Sequence, residues 1–247
     1  MYTKEGLEEV FIKGIRCLLA KPEKDNGHTL IFYHGWGSIP ENQAFSAKIL
    51  ASYGFTVILP EIIHHGTRNP FPNPFDTEVL QKNFWKVVLH SVEEAEGLIS
   101  CAVKSGLAKE GKICLIGSST GGVIASGVFV EVSSITSLVT LNGSPAWEET
   151  EHLWRKSDGR PPAAEEELAQ IRKYDPINRL ENLKQRPVLM LHGSHDERIP
   201  SQGPKKFYDE AKKINDFVQY REYWNVTHTI SLNMMEEMIN WLMEIHK

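Results

Sequence analysis

Short apolar runs alternate along the chain with longer segments whose apolar residues recur at helical spacing. Apolar runs of about four to eight residues are typical of strands buried on both faces of a sheet. The runs predict strands at Val10–Ala20, Thr29–His34, Phe55–Pro60, Lys112–Gly117, Ser137–Asn142, Pro187–His192 and Phe217–Trp224. The helical spacing predicts helices at Glu41–Tyr53, Thr77–Lys104, Gly122–Val132, Gly203–Lys213 and Ser231–Ile245.

Strand and helix alternate from residue 29 to the end of the chain. This alternation predicts the α/β class, with a mostly parallel central sheet and helices on both faces. The first apolar run has no helix after it, so we expect it to pair antiparallel at an edge of the sheet. Residues 1–247 are expected to form one domain, because α/β chains of this length are commonly single domains.

Two segments interrupt the alternation. Pro60–Glu78 contains four prolines and has no periodicity, which predicts a loop. Ala146–Lys184 is long, charged and partly helical, and it separates two predicted core strands, which favours a lid-like insertion or a binding loop. Segments after the carboxyl ends of parallel strands are also where open α/β sheets bind ligands.

The composition says more about which partners the protein can bind than about which fold it has. A hydrophobic fraction of 41% and a charged fraction of 24% are ordinary for a soluble globular protein. The net charge of -5, without any Lys/Arg block, argues against nucleic acid or an anionic membrane as partner. Charges flank the short apolar region near the start, and no apolar run approaches the roughly 20 residues that a bilayer requires. We therefore expect a cytoplasmic protein, with Cys17, Cys101 and Cys114 as buried free thiols.

One segment combines a predicted strand, a glycine-rich turn and a predicted helix. Gly117-Ser118-Ser119-Thr120-Gly121 fits the pattern G-x-S-x-G, in which a serine stands at a sharp strand-to-helix turn. Such a turn strains the backbone of the serine and leaves no room for side chains two residues away, which explains the glycines. The pattern selects Ser119 as a candidate nucleophile. The alternative is a turn that only joins the two elements.

A serine nucleophile needs a base within hydrogen-bond reach and an acid that orients the base. In the chain order Ser, Asp or Glu, His, the acid follows a later strand and the histidine comes last. Asp196 follows the predicted strand Pro187–His192, and His228 lies between the last predicted strand and the last helix. Asp196 could instead be a turn residue, with Glu197 and His195 beside it, and His228 could cap the terminal helix.

Acyl transfer also needs N–H donors for the negative oxygen of its tetrahedral intermediate. One is predicted to be the backbone N–H of Thr120, which follows the serine at the start of a helix. The other is predicted at Trp36, because His34-Gly35-Trp36-Gly37 directly follows an early strand. The two glycines let this backbone approach the serine, and His34 is interpreted as a structural histidine that holds the loop.

Taken together, these segments resemble the α/β-hydrolase superfamily, and within it small bacterial carboxylesterases related to dienelactone hydrolases and to prolyl oligopeptidase catalytic domains. The resemblance rests on HGWG at His34–Gly37, HHGTR at His64–Arg68, GSSTGG at Gly117–Gly122, HGSHDERIP at His192–Pro200 and THT at Thr227–Thr229. It implies the α/β-hydrolase fold, with Ser119 as nucleophile, His228 as general base and Asp196 as the orienting acid. It also implies an oxyanion hole formed by the amides of Trp36 and Thr120.

The activity implied by this resemblance is hydrolysis of small or short-chain carboxylic esters through an acyl-enzyme, with no cofactor and no metal. Dienelactone hydrolases use a cysteine nucleophile, so their lactone substrate is not predicted for a chain with serine at this position. A non-catalytic binding protein of the same fold, an acyltransferase and a peptidase remain as alternatives. Peptidase activity is disfavoured because no propeller-like segment precedes the domain.

The substrate pocket is expected near the two interrupting segments. Arg68 and Phe71 of the Pro-rich loop, and Trp147 and Trp154 of the insertion, are candidates for its wall. For each of them, plain packing beneath a loop is the alternative interpretation. The several histidines show neither H-x-x-x-H nor H-x-H spacing, so no metal site is predicted.

Overall fold

Eight strands form one sheet in the computed structural model, which describes residues 6–246. The strands are β1 (Glu8–Ile12), β2 (Ile15–Ala20), β3 (Thr29–Tyr33), β4 (Thr56–Pro60), β5 (Ile113–Ser118), β6 (Ile135–Leu141), β7 (Val188–Gly193) and β8 (Val218–Tyr223). The α-helices are α1 (Ala44–Ser52), α2 (Thr77–Lys104), α3 (Thr120–Glu131), α4 (Trp147–Asp158), α5 (Glu165–Tyr174), α6 (Gln202–Ala211) and α7 (Leu232–Ile245). Two 3-10 helices lie at Pro40–Gln43 and Pro176–Leu183.

The strand order is β1-β2-β4-β3-β5-β6-β7-β8. Strands β3 to β8 are parallel, whereas β2 runs antiparallel to both β1 and β4. The predicted mostly parallel sheet with an antiparallel edge is therefore confirmed. Because parallel strands end at the same edge of a sheet, the loops that follow β3, β5, β7 and β8 meet there.

The prediction of one strand over Val10–Ala20 is wrong, because this segment lies within a hairpin of two strands. Ile12 pairs with Ile15, and the turn between them consists of Lys13 and Gly14, whose φ angles are 51° and 77°. A two-residue hairpin turn requires positive φ at both central positions, and glycine adopts it without strain. The Lys-Gly pair was the turn signal inside the apolar run.

Helices cover both faces of the sheet because each buried strand alternates its side chains between two apolar cores. In β5, Ile113 and Leu115 belong to the core beneath α2 and α3, whereas Cys114 and Ile116 belong to the core beneath α1 and α7. The predicted helix Thr77–Lys104 has the observed bounds of α2. The predicted insertion folds as α4, α5 and the second 3-10 helix.

Two of the three cysteines are fully buried. The thiols of Cys17 and Cys114 are free, and burial raises the pKa of each to about 12. Cys101 on α2 is only half-buried, which differs from the expected burial of all three. None of the helices between residues 6 and 246 is long and apolar enough to cross a membrane.

The end of α7 brings two histidines and a lysine together at the edge of the sheet opposite the loops described above. The rings of His28 and His246 are 4.4 Å apart, Lys112 Nζ lies 3.5 Å from His28, and Ser137 Oγ lies 3.1 Å from His246. Burial, together with the charges of His28 and Lys112, lowers the pKa of His246 from 6.5 to about 4. Burial beside Lys112 also lowers the pKa of His28.

A pH dependence of stability follows from these histidines. Because folding lowers the pKa of His246, the neutral ring stabilises the fold above pH 6.5, and this contribution is lost as the pH falls towards 4. We expect the free energy of unfolding in urea to fall over this range less steeply in His246→Gln than in the wild type. The exposed His90→Gln serves as the control, and identical profiles for His246→Gln and the wild type would contradict the prediction.

Candidate active site

Ser119 stands at a sharp turn between β5 and α3. Its φ of 57° and ψ of -124° lie in a strained region for a residue with a side chain. A Cβ at Gly117 would lie 2.0 Å from the Gly121 carbonyl oxygen, and a Cβ at Gly121 would lie 2.2 Å from the Tyr33 carbonyl oxygen. Both flanking positions therefore need glycine if the turn is to form.

His228 lies within hydrogen-bond distance of both Ser119 and Asp196. His228 Nε2 is 2.8 Å from Ser119 Oγ, although the two residues are 109 positions apart in the chain. His228 Nδ1 is 2.7 Å from Asp196 Oδ2. Because a carboxylate only accepts, Nδ1 carries the proton, and Nε2 presents its lone pair to the serine hydroxyl.

The loop after β7 holds the Asp196 carboxylate in place. Its Oδ1 accepts hydrogen bonds of 2.9 Å from the backbone N–H groups of Arg198 and Ile199. Burial alone would raise the pKa of Asp196, but the hydrogen bond and charge of His228, together with the Ile199 N–H, lower it below its ordinary value. The carboxylate is therefore ionised at neutral pH and accepts the hydrogen bond from His228 Nδ1.

The neighbours that competed with Asp196 in the sequence take other positions. Glu197 is exposed. His195 is also exposed, with its Nδ1 2.9 Å from Ser194 Oγ and its ring against Trp224. Asp196 is the carboxylate that meets His228.

Two side chains at this edge of the sheet were missed in the sequence. Asn142, just after β6, accepts a 2.9 Å hydrogen bond from the Gly193 N–H and donates one of 2.8 Å to the Thr229 carbonyl, so it joins the Asp196 and His228 loops. His192 is buried and donates from Nε2 to the Ile199 carbonyl at 2.8 Å. The sequence did contain a turn signal here, the pair Asn142-Gly143 at the end of a predicted strand. In the structure Asn142 has a φ of 52°, as such a turn requires.

The loop after β3 reaches the nucleophile. A Cβ at Gly35 would lie 3.2 Å from Ser119 Cβ, which measures how closely this backbone approaches. Within the described residues, neither the Trp36 N–H nor the Thr120 N–H donates to a protein acceptor. Both are therefore available to an oxygen bound at Ser119. His34 is fully buried, with Nδ1 donating to the Gly35 carbonyl and Nε2 accepting from the Ile62 N–H.

A cavity of about 670 Å³ opens beside Ser119 and His228. Much of its wall is aromatic, with Trp36, Phe75, Phe84, Trp85 and Trp154. Polar side chains also contribute to it, among them Ser38, Gln43, Gln81, Glu151, Asp158 and Arg160. The insertion supplies part of this wall through α4.

Of the four residues proposed for the pocket, Trp154 lines the cavity. Its indole Nε1 donates to the Arg198 carbonyl at 2.5 Å, and its ring meets Phe84 edge to face. The insertion is thereby tied to the loop that carries Asp196.

The other three are placed elsewhere by the structure. Arg68 forms a two-pronged ion pair with Glu94 on α2, at 2.9 and 2.8 Å. Phe71 stacks on the far side of Trp36, with ring centroids 5.8 Å apart. Trp147 is fully buried against α3, where its Nε1 donates to Ser126 Oγ at 3.3 Å. Arg68, Phe71 and Trp147 thus support the loop and the insertion from behind the cavity wall.

Comparison with known proteins adds to this geometry. A sequence profile of the prolyl oligopeptidase family matches residues 90–245, a range that includes Ser119, Asp196 and His228. The chain belongs to the prolyl oligopeptidase family. This family member is 33% identical over 219 residues to the putative esterase YitV of Bacillus subtilis (strain 168), with 83% of this chain and 84% of YitV covered. It is 25% identical over 179 residues to the esterase YjfP of Escherichia coli (strain K12), with 70% of each chain covered.

Solved structures share the fold of this prolyl oligopeptidase family member. The crystal structure of TT1662 from Thermus thermophilus matches with a TM-score of 0.82 over 98% of both chains, at 20% sequence identity. The fold is the α/β-hydrolase fold, and the protein is a serine hydrolase of the α/β-hydrolase class. Residues 6–246 contain no cluster of three or more His, Cys, Asp or Glu side chains arranged to hold a metal ion.

Proposed function

We propose that the protein is a carboxylesterase that cleaves esters of small or short-chain acyl groups through an acyl-enzyme. The observation that carries this proposal is the hydrogen-bonded series Ser119–His228–Asp196 at the wall of a cavity that Trp36 and Thr120 also line, with the N–H groups of both residues unpaired within residues 6–246. The names of the relatives YitV and YjfP, both called esterases, support it.

In the proposed first step, Ser119 Oγ attacks the ester carbonyl while His228 Nε2 takes the hydroxyl proton. The carbonyl oxygen becomes an oxyanion and accepts hydrogen bonds from the N–H groups of Trp36 and Thr120. Each such donor contributes about 10²–10³-fold to the rate in serine hydrolases. The protonated His228, stabilised by Asp196, then gives its proton to the oxygen of the leaving alcohol, and the C–O bond breaks.

The second step returns the enzyme to its starting state. A water molecule replaces the alcohol and loses a proton to His228 Nε2 as it attacks the acyl carbonyl. Collapse of the second tetrahedral intermediate breaks the bond to Ser119, and His228 returns the proton to Oγ. General acid–base catalysis of this kind contributes about 10²–10⁴-fold.

The size of the cavity supports a short acyl group. Pockets of about 300–1,000 Å³ enclose small organic molecules, and the 670 Å³ here is shared between the acyl and alcohol parts of the ester. Trp154 and Phe84 meet edge to face in this wall, with ring centroids 4.8 Å apart.

Turnover of 4-nitrophenyl esters of increasing acyl length tests this size limit. We expect kcat/KM for the acetate and butyrate to exceed that for the palmitate by about 10–100-fold, since a chain too long for the cavity must displace its wall, at a cost of about 1–3 kcal/mol. Equal turnover of the palmitate would contradict the prediction.

A fluorophosphonate probe separates this proposal from a non-catalytic binding protein of the same fold. An activated serine is labelled covalently, and labelling is expected at Ser119 in the wild type. An unlabelled folded protein would favour the binding protein.

Peptidase activity is a second candidate, because the matching family includes prolyl oligopeptidases. Comparison of an acyl 4-nitroanilide with the 4-nitrophenyl ester of the same acid separates the two activities, because only the leaving group changes. Faster turnover of the anilide would favour the peptidase.

A further inference from the structure

The side chain of Gln43 is a polar part of the cavity wall. Gln43 lines the cavity and is only 9% exposed, yet its side-chain amide makes no hydrogen bond with any part of the chain that the structure describes. A carboxamide offers two donors and an acceptor, and those of Gln43 are left for a molecule in the cavity. A substrate group that pairs with this amide would therefore bind favourably.

The position of Gln43 is fixed by its surroundings. It ends the 3-10 helix Pro40–Gln43, in which Glu41 accepts a hydrogen bond from the buried Arg16 guanidinium. Arg16 also donates to Glu61 at 2.9 Å, just after β4, so the short helix is tied to the sheet. The backbone at Gln43 is thereby held in place, so that ligand binding has to order only its side chain.

Ser38 adds a second polar group to the same part of the cavity. Its Oγ accepts a 3.0 Å hydrogen bond from Asn42 Nδ2, and its hydroxyl proton remains available to another acceptor. Gln43 and Ser38 are both neutral polar residues of the cavity wall, and they form a polar corner in it. Arg16 and Glu41, which hold the short helix, are paired with each other.

The strand order indicates which half of an ester meets this corner. Gln43 follows β3, which lies on one side of β5 and Ser119. His228 follows β8, on the other side of β5. Since His228 must protonate the leaving alcohol, the alcohol lies on its side of the nucleophile, and the acyl group extends towards Gln43.

We propose that Gln43 is a specificity-determining residue that recognises a hydroxyl group on a short acyl chain. This inference rests on the esterase function proposed above. A hydroxyl matches the corner because it donates to the amide oxygen of Gln43 and accepts from its NH₂ group. The substrate class is therefore esters of short hydroxy acids rather than of plain fatty acids.

Ethyl 3-hydroxybutyrate and ethyl butyrate provide the test, because they differ by one hydroxyl on the same acyl chain. In pH-stat assays we expect the wild type to favour the hydroxy ester in kcat/KM by about tenfold, the factor that one ordinary hydrogen bond supplies. Gln43→Met keeps a side chain of similar length without the amide, and we expect it to lose this preference. Gln43→Leu provides the same test should Gln43→Met fail to fold.

Gln81→Leu is the matched control, since Gln81 also lines the cavity but already donates to Asp158 Oδ2 at 3.2 Å. Its preference ratio is expected to stay within about twofold of the wild-type ratio. An equal ratio in the wild type and both Gln43 variants, with both esters turned over, would overturn the inference while the proposed function stands. Absence of turnover of either ester, together with absence of fluorophosphonate labelling, would overturn both.

Discussion

Replacing Ser119 with alanine is expected to lower kcat for short 4-nitrophenyl esters by about 10⁶-fold, the loss that removal of the nucleophile causes in triad enzymes. The Ser119→Ala enzyme has no atom that can form the acyl-enzyme, whereas its oxyanion-hole amides and its cavity remain. The measurement is steady-state hydrolysis of 4-nitrophenyl butyrate, with the circular dichroism spectrum recorded to show that the variant is folded. Unchanged turnover in this variant would rule out the proposed mechanism.

Ser118→Ala is the matched control for this substitution. Ser118 occupies the variable position of the turn and has no hydrogen bond to His228 among the residues that the structure describes. Its loss of kcat is expected to stay below about tenfold, because its hydroxyl takes no part in the proposed reaction. A loss of kcat as large as that of Ser119→Ala would show that the assignment of Ser119 as the nucleophile is wrong.

Replacing Asp196 with asparagine is expected to lower kcat by about 10⁴-fold while the fold is kept. The carboxylate can only accept a hydrogen bond from His228 Nδ1, so it fixes the tautomer in which Nε2 receives the serine proton. An amide can donate to Nδ1 and hold the opposite tautomer. It also carries no charge to stabilise the protonated ring.

The neighbouring Glu197→Gln provides the comparison, because this carboxylate is exposed and one position away. We expect its kcat to match the wild type within about twofold. If Asp196→Asn retained wild-type kcat, or if Glu197→Gln lost as much, the orienting acid would have to be sought elsewhere.

The placement of Ser119, Asp196 and His228 could be predicted because chain order and backbone geometry constrain it. The glycines at 117 and 121 are demanded by a turn that leaves no space for a Cβ. The acid and the histidine each follow a strand, and the carboxyl ends of parallel strands converge. Periodicity identified the elements that carry these residues, so their meeting at one edge followed from the topology.

The cavity wall could not be predicted in the same way. An aromatic residue in an amphipathic helix packs inward in either case, and the sequence does not say whether it meets a cavity or another helix. Trp147 and Trp154 both lie on α4, two turns apart, yet only Trp154 lines the cavity. The difference arises from tertiary contacts: Asp175 accepts from the Trp147 N–H at 2.9 Å and draws the start of α4 down against α3.

The position of single polar residues in the cavity wall could also not be predicted from the sequence. The sequence predicted one helix from Glu41 to Tyr53, whereas the structure has a 3-10 helix that ends at Gln43 and then α1. Nothing in the neighbours of Gln43 distinguishes it from a surface glutamine. Its position depends on the ion pair between Arg16 and Glu41, two residues that are 25 positions apart in the chain. Pairings between residues so far apart in the chain are set by the tertiary fold and not by the local sequence.

The Asn142 amide has a consequence for how the protein responds to heat. Strand β8 is an edge strand of the sheet, and edge strands fray at the lowest cost in free energy. The loop that carries His228 directly follows β8. Asn142 comes from β6, two strands further in, and holds both Gly193 and Thr229 through one side chain. Asn142 thereby connects the loop that carries the His228 imidazole to an interior strand. On heating, we expect the imidazole to stay aligned with Ser119 until the interior strands unfold, rather than only until β8 frays.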